Sequence, residues 1–169
     1  MPDLRITEIF LSLQGEANTV GRPTVFVRLT GCPLRCQYCD SAYAFSGGTQ
    51  MPLDDIMTKV DDLGVRHVTV TGGEPLAQPN VLQLMQRLVD ASFSVSVETS
   101  GALSVEHVPA EVVKVLDLMT PDSKESHRNL WLNLAYLNPQ DQVKFVICSA
   151  DHRGINIVTA VTHRLVARG

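Results

Sequence analysis

The stretch that decides the fold is TVFVRLTGCPLRCQYC, residues 24–39. Its first half is an extended apolar run rich in β-branched residues, which predicts a β-strand. Its second half places Cys32, Cys36 and Cys39 directly after that strand, in C-x3-C-x2-C spacing. A strand that carries three thiols into one loop predicts a metal site at the end of a sheet.

Predicted strands and helices alternate downstream of this stretch. The pattern of apolar residues predicts strands over 65–71, 93–98, 112–118 and 143–148, and helices over 53–63, 80–91 and 129–137, the second of them capped by Asn80. Strands that alternate with helices form βαβ units and a parallel sheet, with the ligand site at the carboxyl ends of the strands. The sequence therefore predicts an α/β fold in one domain over residues 1–169.

Composition excludes several classes of function. The 169-residue chain has a formal net charge of −4 and no run of Lys or Arg, which argues against binding to nucleic acid. No apolar run approaches the roughly 20 residues needed to cross a bilayer, and the first residues lack an apolar signal core. We expect a cytoplasmic protein with no membrane partner.

The kind of metal is open from spacing alone. Three of the four cysteines lie within eight residues, which fits a metal site better than a disulfide framework. Structural zinc normally has four protein ligands, and Cys148 or one of the five histidines could supply the fourth. Three thiolates on an iron–sulfur cubane would instead leave one iron open. The position of the trio after a strand and a Gly, at the mouth of an α/β sheet, favours the cluster.

The trio, with Tyr38 before its last cysteine, resembles the signature of the radical S-adenosylmethionine (SAM) superfamily. A GGE-type motif of that superfamily has its counterpart in GGEP, residues 72–75. The resemblance implies a partial, TIM-like barrel of parallel strands that binds a 4Fe–4S cluster through Cys32, Cys36 and Cys39 and chelates SAM at the open iron. It further implies SAM contacts, which are Tyr38 with the adenine, Gly73 and Glu74 with the methionine part, and Ser100.

Three further motifs narrow the resemblance. LQGE (13–16), FVRLTGC (26–32) and ETSG (98–101) resemble the 7-carboxy-7-deazaguanine synthase family over about residues 6–148. That family converts 6-carboxy-5,6,7,8-tetrahydropterin to 7-carboxy-7-deazaguanine with loss of ammonia, in the biosynthesis of queuosine. The resemblance implies Mg2+ at Ser41, a homodimer, and a flavodoxin-like electron donor. It also implies a set of pterin contacts: Leu13, Gln14, Gly15, Arg28 and Thr71. Arg28 suits a carboxylate because its planar guanidinium can donate two parallel hydrogen bonds.

Two departures from the family pattern leave alternatives open. Met119 stands where the family usually has a Lys, although Lys124 is close in sequence, and residues 149–169 diverge from the family tail. One alternative is a shortened, weakly active or inactive remnant that still binds a cluster. Another is a glycyl-radical activating enzyme, which the motifs at 14–16 and 98–101 disfavour. Cys148 is expected to be a buried strand residue and no ligand.

Overall fold

The computed structural model describes residues 2–147, which fold around one seven-stranded sheet. The strands and the two α-helices are β1 (Asp3–Leu13), β2 (Pro23–Leu29), β3 (Thr49–Pro52), α1 (Leu53–Asp62), β4 (His67–Gly72), α2 (Val81–Asp90), β5 (Ser94–Thr99), β6 (Val113–Asp117) and β7 (Gln142–Lys144). Residues 149–169, the predicted divergent tail, lie outside the described residues. None of the described helices has the length and apolar character needed to span a bilayer.

The sheet is open and mixed, with the strand order β3-β1-β2-β4-β5-β6-β7. Strands β2, β4, β5, β6 and β7 are parallel, as predicted, and they form the partial barrel. The prediction of a wholly parallel sheet is wrong at one edge, because β1 pairs antiparallel with both β2 and β3. Neither β1 nor β3 was predicted, since β1 is buried only at its start and β3 is four residues long.

Both predicted helices near the sheet form, and each buries an apolar face. Helix α1 buries Leu53, Ile56 and Val60, and helix α2 buries Val81, Leu84, Met85 and Leu88. These side chains join the core with the buried valines of β2, β4 and β5. Asn80 occupies the predicted N-cap position of α2, but its side chain makes no capping hydrogen bond. Its side-chain amide donates to the Asp3 carbonyl at 2.9 Å and so ties α2 to β1.

The segment before β7 differs from the prediction. Residues 129–137 do not form an α-helix, and the structure has a 3-10 helix over Trp131–Tyr136 instead. Strand β7 runs over Gln142–Lys144 and overlaps the predicted strand 143–148 only at 143–144, and Cys148 lies outside the described residues. An α-helix would need an apolar face to bury, but the side chain that is fully buried in this 3-10 helix is that of Asn133.

Candidate active site inside the partial barrel

One cavity of about 550 Å³ collects the predicted site residues. Its wall is formed by side chains from every strand except β3 and by the loop that follows β2. Every predicted site residue except Glu74 lines this cavity: Leu13, Gln14, Gly15, Arg28, Cys32, Cys36, Tyr38, Cys39, Ser41, Thr71, Gly73 and Ser100. Residues that are up to 87 positions apart in sequence therefore share one concave site, as is usual for enzymes and cofactor proteins.

The three thiols lie on the loop after β2 and are free, partly exposed and directed to the cavity wall. Cys32 Sγ accepts a hydrogen bond from the Leu34 N–H at 3.4 Å. Burial raises the pKa of Cys32, and burial together with the neighbouring thiols raises the pKa of Cys36 to about 11. Without metal these two thiols are therefore protonated at neutral pH, and binding of a metal would release their protons.

The donor set fits an iron–sulfur cluster, whose irons take thiolate ligands. Within residues 2–147, no group of three or more His, Cys, Asp and Glu side chains has the arrangement needed to hold a single metal ion. Three thiols spread along one cavity wall match the ligand type of a cluster, which is larger than a single ion.

Gly73 allows the end of β4 to pack against the cysteine loop. A Cβ at this position would lie 2.3 Å from the Gly31 carbonyl oxygen and 2.8 Å from Cys32 Cβ. The close approach is stabilised by two backbone hydrogen bonds, from the Gly73 N–H to the Leu29 carbonyl and from the Glu74 N–H to the Gly31 carbonyl. Any larger residue at 73 would therefore displace the loop that carries the thiols.

Glu74 is the predicted site residue that does not line the cavity. Its side chain is fully buried, and its carboxylate accepts hydrogen bonds from the N–H groups of Leu76 and Ser100 and from the hydroxyls of Thr99 and Ser100. Burial raises the pKa of Glu74. The structure therefore places this carboxylate behind the wall, where it joins the end of β4 to the end of β5. Direct contact of Glu74 with SAM stays a prediction.

Arg28 is partly buried in the wall of the same cavity. Its Nε donates to Glu8 Oε1 at 2.7 Å, and its guanidinium carbon lies 5.9 Å from the ring centre of Phe10 and 5.8 Å from that of Tyr43. Tyr43 also donates its hydroxyl proton to Glu8 Oε1. The carboxylate and the two rings therefore hold the guanidinium in one place beside the cavity.

A polar network crosses the floor of the cavity. The Gln14 side-chain amide donates to Thr69 Oγ1 and to Glu98 Oε1, both at 3.2 Å. The Thr71 hydroxyl donates to Glu98 Oε2, also at 3.2 Å. Glu98 lines the cavity but was missed as a site residue, although the sequence signal was available because it begins the ETSG motif at a strand end.

Tyr38 and Ser41 occupy the rim next to the thiols. Burial raises the pKa of Tyr38. The Ser41 hydroxyl donates to Asp40 Oδ1 at 2.7 Å, and both residues line the cavity. Asp40 was also missed, although a carboxylate next to the predicted Mg2+ residue is a sequence signal for a hard cation.

The remaining positive charge in the cavity comes from Lys144 on β7. Its Nζ lies 2.6 Å from Glu16 Oε2 and 3.3 Å from Asp117 Oδ2. Met119 also lines the cavity, with its sulfur 3.4 Å from the Cys36 thiol, whereas Lys124 is exposed and does not line it. Lys124, although it is close to Met119 in sequence, therefore brings no charge to the cavity wall, and no local sequence signal pointed to Lys144.

Comparison with known proteins agrees with this geometry. The Radical SAM superfamily profile matches residues 26–122. The 7-carboxy-7-deazaguanine synthase of Koribacter versatilis is 47% identical over 146 residues, and that of Pyrobaculum aerophilum is 41% identical over 154 residues, which are 89% of this chain and 69% of that protein. The chain belongs to the 7-carboxy-7-deazaguanine synthase family of radical SAM proteins.

Solved structures support the same fold. The crystal structure of QueE from Escherichia coli has a TM-score of 0.66 at 22% identity and covers 96% of this chain and 91% of its own. The structure of Streptococcus suis SuiB bound to S-adenosylmethionine has a TM-score of 0.56 at 19% identity and covers 78% of this chain and 34% of its own. The prediction of a partial barrel is therefore confirmed.

The chain spans only about two thirds of the length of the synthases it matches. The match to the K. versatilis synthase covers 85% of this chain but 65% of that protein. The match to the Methanospirillum hungatei synthase, which is 39% identical, covers 63% of that protein.

Proposed function

We propose that this protein is a radical SAM lyase that converts 6-carboxy-5,6,7,8-tetrahydropterin to 7-carboxy-7-deazaguanine with loss of ammonia. The observation that carries the proposal is the single cavity, which is lined both by the three thiols and by the pterin-binding residues expected from the family. The names of the relatives, all 7-carboxy-7-deazaguanine synthases, support the same reaction.

The cofactors would occupy the thiol side of the cavity. Cys32, Cys36 and Cys39 would hold a 4Fe–4S cluster, since three thiols leave one iron free for a small-molecule ligand. When bound, the cluster would supply one electron to SAM, and SAM would supply the adenosyl group that takes a hydrogen atom from the substrate. Gly73 and Ser100 would contact the methionine part of SAM from the neighbouring strand ends, and Tyr38 would lie against its adenine. SuiB, a structural neighbour, was solved with SAM bound, which supports SAM as the cofactor of this fold.

The part of the cavity wall around Arg28 has groups that suit a carboxypterin. The Arg28 guanidinium would bind the substrate carboxylate, for which its planar geometry is suited. Gln14, Thr71 and Glu98 form a polar floor that offers hydrogen bonds to the edge of the pterin ring. The rings of Phe10 and Phe26 are stacked, with centres 5.2 Å apart, and form an apolar wall for a flat ligand.

The remaining features of the family are also part of the proposal. Ser41, with Asp40 beside it, would bind Mg2+, because this ion prefers hydroxyl, carboxylate and water oxygens. We further propose a single domain over residues 1–169, a homodimer in the cytoplasm, and a flavodoxin-like electron donor. These assignments follow from the family relationship.

The test starts with cluster binding. Protein reconstituted anaerobically should contain one 4Fe–4S cluster by iron and sulfide analysis, and Cys32→Ala, Cys36→Ala and Cys39→Ala should each lose it. Cys148→Ala is the matched control and should keep the cluster. Loss of the cluster in the control, or zinc in place of iron, would contradict the assignment of the trio.

The second step tests the reaction. Reconstituted protein is incubated with SAM, a reductant and the carboxypterin, and the product is identified by mass spectrometry. Formation of 7-carboxy-7-deazaguanine supports the proposal. Cluster and SAM binding without product would instead support the cluster-binding remnant.

Arg28 tests the substrate side separately. Arg28→Lys keeps the charge but loses the two-pronged donor, so it should weaken carboxypterin binding by about 2–5 kcal/mol and leave SAM binding unchanged. Isothermal titration calorimetry with carboxypterin and with SAM measures the two affinities. Equal pterin affinity in the variant and the parent would remove Arg28 from the substrate site.

A further inference from the structure

The loop after β1 reaches across the open side of the sheet to the last strand. In the strand order, β1 and β7 are separated by β2, β4, β5 and β6. Nevertheless the Asn18 N–H donates to Gln142 Oε1 at 2.8 Å, and Lys144 Nζ lies 2.6 Å from Glu16 Oε2. The curvature of the partial barrel thus brings residues 16–18 against β7, and two polar contacts join them.

Lys144 connects this loop to the wall of the cavity. Its ammonium group lies between Glu16 on the loop and Asp117 at the end of β6, and all three residues line the cavity. The Lys144 side chain is 27% exposed and that of Asp117 is 17% exposed, whereas Glu16 is half exposed. Asp117, Glu16 and Glu98 also raise the pKa of Lys144, so the ammonium group stays charged across the neutral range.

The loop itself is organised around Gln14. The Gln14 N–H donates to the Arg22 carbonyl, and the Gly21 N–H donates to the Gln14 carbonyl. The Glu16 N–H donates to Gln14 Oε1 at 3.2 Å, while the amide nitrogen of the same side chain reaches Thr69 and Glu98. The position of Glu16 is therefore coupled directly to the side chain of Gln14, and through the backbone to Gly15.

We propose that Lys144 is a positioning residue for the substrate: by bridging Asp117 and Glu16, it holds loop 14–22 across the open side of the barrel and so keeps Leu13, Gln14 and Gly15 in place at the cavity. The bridge itself is a property of the fold, and its effect on the pterin rests on the proposed function. Because Glu16 is half exposed, its ion pair with Lys144 contributes little to global stability, and the main effect of that pair is on the local order of the loop.

The test uses three variants of the full chain. Lys144→Met removes the charge at nearly constant size, Lys144→Arg keeps a cation of similar reach, and Glu16→Gln breaks the bridge from its exposed end. Lys59→Met, at an exposed position on α1, is the matched control. Hydrogen exchange is measured by mass spectrometry over residues 14–22, and SAM and carboxypterin affinities are measured with anaerobically reconstituted protein.

Lys144→Met and Glu16→Gln should increase exchange over 14–22 by about tenfold and weaken carboxypterin binding by a similar factor. SAM affinity should stay at the parental value in both variants, and the melting temperature should stay at the parental value in Glu16→Gln. Lys144→Arg should keep the parental exchange and pterin affinity. The control should match the parent in every measurement.

Three outcomes would overturn the proposal. Unchanged exchange over 14–22 in both Lys144→Met and Glu16→Gln would show that the bridge does not hold the loop. Increased exchange with unchanged pterin affinity would show that the loop order does not matter for substrate. Loss of pterin affinity without increased exchange would make Lys144 a direct ligand. A parent that binds no carboxypterin would contradict the proposed function, while the exchange measurement would still test the bridge.

Discussion

Two parts of the sheet, the strands β2, β4 and β5 and the edge formed by β6 and β7, are stabilised in different ways. Strands β2, β4 and β5 pack against the apolar faces of α1 and α2, and their inward valines are almost completely buried. The edge formed by β6 and β7 has a three-residue final strand and is joined by a segment without any α-helix. Buried polar side chains connect this edge to its neighbours, beside buried apolar residues such as Leu116 and Leu118. The packing of β2, β4 and β5 is predictable from apolar periodicity, whereas the edge of β6 and β7 also depends on specific hydrogen-bond partners.

A buried ion pair joins β6 to the start of β7. Lys114 Nζ lies 2.8 Å from Asp141 Oδ2, and the two side chains are 2% and 0% exposed. Asp141 also accepts hydrogen bonds from the N–H groups of Lys114 and Asn138. The carboxylate therefore satisfies two backbone donors as well as the ammonium group.

Two buried asparagines organise the segment between β6 and β7. The Asn129 side chain accepts from the Met119 N–H and donates to the Met119 carbonyl. The Asn133 side chain donates to the carbonyls of Gly101 and Leu103 and accepts from the Val105 N–H. Loss of one partner in such a contact leaves the other group buried without a hydrogen bond. The stability of this edge should therefore be sensitive to substitution of a single side chain.

Removal of one charge from the buried pair should have the largest effect. Lys114→Met leaves the Asp141 carboxylate buried without its cation and should lower the free energy of unfolding by about 3–5 kcal/mol. The free energy of unfolding is measured by urea titration, with circular dichroism as the signal. The double variant Lys114→Met/Asp141→Asn should recover part of the loss, because no uncompensated charge remains. A loss below about 1 kcal/mol would mean that the edge does not depend on the pair.

A cavity in the apolar side should cost somewhat less. Leu88 on α2 is completely buried in the core, and Leu88→Ala should lower the free energy of unfolding by about 3 kcal/mol. Leu132→Ala, at a position that is 58% exposed, is the control and should change little. If both variants lost the same amount, the proposed contrast between buried and exposed apolar contacts would fail.

Loss of the Asn133 amide should destabilise the polar edge more modestly. Asn133→Ala leaves two carbonyls and one N–H without their partner and should cost about 2 kcal/mol. Hydrogen exchange should increase first at Val105, whose N–H loses its acceptor. Unchanged protection at Val105 would indicate that another group replaces the amide.

The smallest expected effect is a pH dependence at Glu74, the buried carboxyl of the apolar side. Burial raises the pKa of Glu74 above its ordinary value, so the folded state binds this proton more tightly than the unfolded chain. Its stabilising contribution is therefore complete below the ordinary pKa and is lost as pH rises through the raised pKa. The free energy of unfolding of the parent, minus that of Glu74→Gln, should fall over this window in urea titrations at successive pH values. A difference that grows with pH would mean that the hydrogen-bond donors outweigh burial.

The predictable part of the site is the part built from contiguous motifs. The cysteine trio, Gly73 and Ser100 follow directly after predicted strands, so their meeting at the carboxyl ends of β2, β4 and β5 could be expected from a parallel sheet. Glu98 and Asp40 lie next to predicted site residues in the sequence and could have been chosen on that basis. Lys144 and Asp117 could not, because nothing near them in the sequence marks them as partners of Glu16.

Local sequence by itself determined the parallel strands, the helices α1 and α2, and the cysteine loop, because apolar periodicity and ligand spacing are properties of neighbouring residues. Only the tertiary structure decided that β1 and β3 extend the sheet antiparallel, that the Glu74 carboxylate lies behind the cavity wall, and that Lys144 bridges Asp117 and Glu16. These features depend on which distant segments the curvature of the sheet brings together. Burial and the choice of ion-pair partner are set by that long-range packing, which no short stretch of the chain specifies.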